Sequence, residues 1–234
     1  MTNPTQQQAA LLAPCIALTC KFEQNSFHPD FAAWEQLGDG RGVTAGFAGF
    51  TQYDTDENGH KVFGDLADVW ARFLELGGDA NAPAYADAIA SADVWALLAD
   101  TSHNLRQAQL DVNFANYGAP ALAYVPQLWL RLPIALAIVY DTLVQHGDGD
   151  DPDSFGAIRE RTVWDVDSYG LLTDEPANLS RFLDERRKVL LSPANKATTD
   201  EWRKSVGRVD VLEWLLEHNP QLEGDWQAQV EARF

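Results

Sequence analysis

Apolar positions recur at helical spacing over most of this chain, and one glycine-dense stretch near its start breaks the pattern. Leu11, Leu12, Cys15, Ile16 and Phe22 stand among small residues from about Gln6 to Phe22, which predicts a helix ending near Glu23. A connecting stretch follows from Ser26, with a short helix expected around Phe31 to Leu37. From Gly38 to Gly49 glycines alternate with Val43, Thr44 and Phe47, and Phe50 follows, the pattern of a small twisted sheet. A turn at Glu57-Asn58-Gly59-His60 returns through Val62 and Phe63 as a hairpin. After Asp65 the period becomes helical, first in the stripe Leu66, Val69, Trp70, Phe73, Leu74. Further helices are expected near 83–99, 101–114, 127–146, 152–162, 176–191 and 199–217. A small β-region wedged among helices is an α+β plan, mostly helical.

The stretch from Leu128 to Val144 is the most apolar, but Arg131, Pro133 and Asp141 interrupt it, so it reads as a central buried helix and not a membrane span. Ala9 to Pro14 is too short and lacks a basic flank, so no signal peptide is visible in this stretch. Cys15 and Cys20 fall on different faces of the first helix, which argues against a mutual disulfide and for two small buried side chains.

Charge narrows the partners. The 234 residues include 17 basic and 35 acidic side chains, a net charge of −18. Such a surface repels nucleic acid phosphates and anionic membranes, so neither is an expected partner, and it attracts a polycation. Acidity alone serves solubility equally well.

Two carboxylates stand out. Glu23 ends the first helix, and Asp39 sits inside Gly38-Asp39-Gly40-Arg41-Gly42-Val43-Thr44-Ala45-Gly46. Hydrolysing a glycosidic bond with inversion needs a protonated carboxyl at the leaving oxygen and a carboxylate that activates water on the opposite face. Glu23 follows an apolar helix face, and burial favours the protonated form of a carboxyl. Glycines around Asp39 permit a sharp turn open to water, and Thr44 offers a hydroxyl to orient that water. Competing chemistries fail. No Lys-Ser/Thr follows the glycines as a phosphate loop requires, no serine elbow is present, and the five histidines have no metal-ligand spacing.

With Asp39 and Thr44 in it, the Gly38-to-Gly46 segment resembles the Gly-Asp-Gly-Arg-Gly-Tyr-Thr-Ala-Gly signature of the glycoside hydrolase family 46 chitosanases. Further blocks agree in order. They are Gln107-Ala108-Gln109, Tyr140-Asp141 with His146-Gly147, Asp151-Pro152 with Ser154-Phe155-Gly156 and Ile158-Arg159, Phe182-Leu183-Asp184 with Arg186, and Arg208-Val209-Asp210. The resemblance runs from about Leu18 to Asn219. It implies a secreted, inverting endo-hydrolase of chitosan, with a two-lobed, lysozyme-like fold and no cofactor. The chain is then one catalytic domain, 1–234, with a small β-containing lobe over about 23–65 and a mainly helical lobe from the first helix and about 66–234. A monomer is expected.

The same resemblance implies residue roles. Glu23 is the general acid, Asp39 activates water and Thr44 helps hold it. Arg41 lies beside the aspartate, and Asp65 and Tyr117 fall near two substrate contacts. Asp141, Arg186 and Arg208 form a buried ion cluster. Read from its own surroundings, Asp65 serves equally to start a helix at Leu66, and Tyr117 could be a core or turn aromatic. The departures from the family pattern are Val43 in place of tyrosine, Gln24-Asn25 after the acid, a slightly short Glu23-to-Asp39 interval, an insertion at Asp54 to Gly59, and Pro193 in a long segment from Ser192 to Gly207. They fall mostly on the subsites.

Asp54, Asp56, Asn58, Gly59 and Asp65 match part of a calcium-loop spacing. Lys61 replaces the usual apolar residue and the terminal ligand is Asp, so a polar hairpin turn without metal is the expected reading. Two rivals to the chitosanase remain: a lysozyme-like hydrolase of chitin or peptidoglycan, and a non-catalytic carbohydrate-binding protein. The joint presence of Glu23, Asp39 and Thr44 argues against the binder.

Overall fold

The structure is a computed structural model that describes residues 3–36, 38, 40–55, 59–149, 151–196 and 199–234. It is a mostly helical α+β fold with a small antiparallel sheet. Helix α1 (Gln6–Gln24) opens on a capping box in which Thr5 and Gln8 satisfy each other's free backbone N–H groups. It ends at Asn25, whose φ of 54° turns the chain left-handed, with Lys21 Nζ donating to Asn25 Oδ1 at 2.9 Å.

Strands β1 (Trp34–Glu35), β2 (Thr44–Ala45) and β3 (Phe50–Thr51) form an antiparallel sheet in that order. Trp34–Glu35 is thus a strand where a short helix was expected. It is held by pairing with Ala45 and Thr44, and two residues carry too little alternation to announce themselves. β4 (Tyr53–Thr55) and β5 (Lys61–Phe63) form the hairpin, with Tyr53 opposite Phe63. Of the turn between them, residues 56–58 lie outside the described residues.

The helices that follow are α2 (Asp65–Glu75), α3 (Tyr85–Ile89), α4 (Ala92–Thr101) and α5 (His103–Asn113). A π-turn at Phe114–Gly118 joins α5 to α6 (Ala119–Gln127), and α7 (Pro133–His146) and α8 (Phe155–Arg161) come next. The chain closes with α9 (Glu175–Leu191), α10 (Thr199–Lys204), α11 (Val206–His218) and α12 (Trp226–Arg233). The expected helix over 83–99 is broken at Ser91, which takes an extended conformation and starts α4. The one expected from 127 begins at Pro133, a residue preorganised for the first helical position. The turn before Pro133 is pinned by Glu175, which accepts from the N–H groups of Arg131 and Leu132 at 2.7 and 2.8 Å.

Two apolar cores form. One gathers around α7, whose residues Ile134 to Leu143 are all buried, as a helix apolar on every side requires. The other backs the sheet and reaches through α2, α4 and α5 to Val112, well beyond the boundary near residue 65 that the sequence suggested. Helix α1 serves both. Leu12, Cys15 and Leu18 enter the first core and Cys20 the second, with both cysteines unbridged. Its last turn therefore emerges where the two cores meet, and Glu23 stands on that turn. No helix among the described residues is long and apolar enough to cross a membrane.

Candidate active site

Glu23 and Thr44 line one cavity of about 470 Å³, together with Gln24, Asp30, Trp34 and Glu35. Thr44 is fixed by register, opposite Glu35 on β1 and Thr51 on β3. Gln24 ties the end of α1 to this wall. Its Nε2 donates to the Phe47 carbonyl at 3.1 Å and its Oε1 accepts from Asp30 N–H at 3.0 Å. From the other side Gln109, fully buried on α5, accepts from Phe47 N–H at 3.2 Å and donates to the Phe31 carbonyl at 3.1 Å. Gly46 lies against that amide with φ of 79°, so any Cβ there would be strained and would also collide with Gln109 Oε1. Gln24 as a clamp, and Asp30 and Glu35 as further acids of this wall, were not legible from spacing. A larger, mainly apolar cavity of about 610 Å³ between α1 and α5 contains neither Glu23 nor Thr44.

Glu23 is more open than its helix face suggested, with 43% of its side chain exposed. An ion pair orients it, through Arg208 Nη2 donating to Glu23 Oε1. Behind it Arg208 Nε is 3.7 Å from Asp141 Oδ2, which also accepts from Arg186 Nη2 at 2.7 Å. Thr19 on α1 donates to Asp141 Oδ1 at 2.9 Å. Asp141 and Arg186 are fully buried and Arg208 nearly so. Burial alone would raise the Asp141 carboxyl, but the Arg208 and Arg186 guanidiniums outweigh it and hold it below its ordinary value. Burial likewise works against the Arg208 charge, and Asp141 and Glu23 reverse it, pushing that group up. The contact between Glu23 and Arg208 spans 185 positions of sequence, and no local pattern announces it.

The chain of contacts extends past Arg186. Its Nε donates to His146 Nε2 at 3.4 Å, and His146 Nδ1 meets the Asp153 carbonyl at 2.8 Å. Asp153 in turn accepts from the N–H groups of Ala194 and Asn195 at 2.9 and 3.2 Å. Burial, helped by the Arg186 charge, pushes the His146 imidazole down to about 3.

Asp39 lies outside the described residues, so its position relative to Glu23 is not part of this geometry. Arg41 follows it, exposed, with its carbonyl accepting from Tyr53 N–H at 2.9 Å. Asp65 occupies the first turn of α2 and accepts from Thr51 N–H at 2.6 Å, which fastens β3 to that helix. Burial pushes its carboxyl up to about 6 against the lowering effect of that hydrogen bond, and Asp68 and Asp54 add to the rise. Asp65 is thus the first residue of α2, but Gly64 is the N-cap, no side chain caps the helix, and the Asp65 carboxylate bonds the strand instead. Tyr117 sits half-buried in the π-turn against the α7 core, and burial followed by the charges of Asp65 and Asp54 pushes its phenol up, keeping it a donor. Arg41, Asp65 and Tyr117 are not among the residues lining the Glu23–Thr44 cavity. Among the described residues no cluster of three or more His, Cys, Asp or Glu side chains could hold a metal ion. Asp56 and Asn58 of the calcium-like spacing fall outside those residues.

A half-open carboxylate oriented by arginine, with a strand hydroxyl lining the same cavity, matches one of the two carboxyl groups that glycosidic hydrolysis requires, and Asp39, the candidate for the other, lies outside the described residues. The sequence pattern of glycosyl hydrolase family 46 matches residues 85–225, and this chain belongs to that family. A chitosanase of Bacillus subtilis is 37% identical over 217 residues, 86% of this chain and 75% of that protein. The fold overlays on a Gynuella sunshinyii family 46 chitosanase in complex with chitotetraose. Its TM-score is 0.76 at 33% identity, covering 94% of this chain and 93% of that one. A native Bacillus subtilis chitosanase structure gives 0.74 at 33%, covering 95% and 94%. The lysozyme-like α+β architecture is thus shared with these neighbours.

Proposed function

We propose that this protein is a secreted, monomeric, endo-acting chitosanase that hydrolyses β-1,4 bonds between glucosamine units by single-step inversion. One observation carries the reading: Glu23 and Thr44 face one cavity in a chain whose relatives are chitosanases. Glu23 gives its proton to the leaving oxygen, with Arg208 fixing the carboxylate's direction and Asp141 balancing the buried guanidinium charge. Asp39 takes the proton of the attacking water, and Thr44 orients that water. Arg41, Asp65 and Tyr117 contact substrate. A cleft rich in carboxylates on a surface of −18 draws in a polymer of protonated amines, and charge-assisted bonds to those amines are lost on acetylation.

The stereochemical step is tested by proton NMR of the first product. An α-anomer from the β-linked substrate is expected. A β-anomer would mean a covalent intermediate and would overturn the single displacement.

A further inference from the structure

The β4–β5 hairpin holds aromatic surface out to solvent. Phe63 is 70% exposed. It stands in register with Tyr53, and the two rings stack with centroids 6.0 Å apart and planes 27° from parallel. Lys61, two residues before Phe63 and so on the same face, places Nζ 3.7 Å from the Tyr53 ring centroid. This platform is tied at its two edges to Arg41 and Asp65, two of the residues proposed above to contact substrate. The Tyr53 ring lies against Gly42, where a Cβ would come within 2.8 Å of it, and Tyr53 N–H donates to the Arg41 carbonyl. At the other edge β5 runs through Gly64 directly into Asp65.

We infer that the Tyr53–Phe63 pair is a further glucosamine subsite of the cleft, one that takes up a sugar distant from the bond being cut. The inference rests on the chitosanase reading and names how that reaction grips a long chain. A β-linked glucosamine unit has an apolar C–H face and a protonated amine, and an exposed aromatic face suits both. Lys61 is an internal stand-in for the second feature. Its ammonium already occupies the Tyr53 face, so that face accepts a primary ammonium at close range. Being long and exposed, Lys61 can swing aside for a substrate amine, while its own charge opposes the incoming cation.

The test is steady-state kinetics of the wild type, Phe63→Ala, Phe63→Trp and Lys61→Met over glucosamine oligomers of increasing length and highly deacetylated chitosan. Phe63→Ala is expected to raise KM on the polymer by about threefold to tenfold with little change in kcat. That penalty should grow with oligomer length, and Phe63→Trp should restore KM. Lys61→Met should move KM the opposite way, and Tyr169→Ala, an exposed aromatic elsewhere, should leave all values at wild type. An equal loss at every length would mark a folding effect and overturn the subsite, as would unchanged KM in Phe63→Ala beside normal wild-type turnover. Wild-type inactivity on chitosan would overturn the chitosanase reading itself, and the subsite with it.

Discussion

Glu23 owes its setting to two unlike neighbours, a cavity on one side and a guanidinium on the other. Glu23→Gln keeps the shape and can still accept from Arg208, but it has no acidic proton to give. Turnover should fall by about two to four orders of magnitude with the melting temperature almost unchanged. On the proposed mechanism Thr44→Ala removes only a hydroxyl that orients water, and it should cost less than Glu23→Gln in the same assay. Equal losses would mean that Thr44 does more than position. Glu23, Asp39 and Thr44 were singled out from the chain because one glycine-rich motif and one helix end carry them; the structure brings Glu23 and Thr44 to one cavity, and Asp39 lies outside the described residues. The partners that hold Glu23 were not singled out. Gln24 acts through Phe47 and Asp30, and Arg208 arrives from the far end of the sequence.

At the scale of elements, Asp141 joins three helices to α7. Thr19 reaches it from α1, Arg186 from α9 and Arg208 from α11. Asp141→Ala leaves the buried Arg186 guanidinium without its counter-ion and Arg208 with only the half-open Glu23, which should destabilise the fold by about 3–5 kcal/mol. Turnover should fall as well, because Arg208 loses the anchor from which it directs Glu23. Asp210→Ala is the matched control. It breaks the 2.6 Å pair with Arg187, but Asp210 is 51% exposed, so the loss should stay below about 1 kcal/mol. Denaturant midpoints of the two variants measure the contrast, and equal shifts would contradict the buried-cluster account. The same scale explains which elements the sequence concealed. Helix α12 buries only Trp226 and Val230, one residue per turn, too thin a stripe to stand out from its polar flanks. The strand at Trp34–Glu35 exists through its partners. The long helices α7 and α9 were legible because their apolar positions persist for several turns.

For the whole molecule, two buried groups oppose each other in acid. His146 is held neutral, down to about 3 from its ordinary 6.5, so the unfolded chain binds the extra proton between those values and stability falls as pH falls through that window. Asp65 is raised from 3.8 to about 6, so here the folded chain binds the proton first. Its contribution grows as pH falls through about 6 and is complete below 3.8. Each contributes a slope of at most about 1.4 kcal/mol per pH unit, with opposite sign, so the two offset between about pH 4 and 6. Asp65→Asn removes one side of that balance. Its stability relative to wild type should drop progressively as pH is lowered from 6 to 4, as read by chemical denaturation at each pH. A constant difference across that range would contradict the burial of Asp65. The surface charge of −18 adds a second global effect, since added salt screens its pull on a polycation and should raise KM for chitosan.

The central claim is that the cleft at Glu23 cuts chitosan, and it is tested most directly by following chain scission in parallel on three polymers. Viscosity and new reducing ends would be recorded for highly deacetylated chitosan, chitin and bacterial cell wall, each with wild type and with Glu23→Gln. The account predicts a rapid viscosity drop on chitosan, much slower action on the other two, and near-complete loss in Glu23→Gln. Faster cutting of chitin or cell wall, or a Glu23→Gln variant as active as wild type, would contradict it.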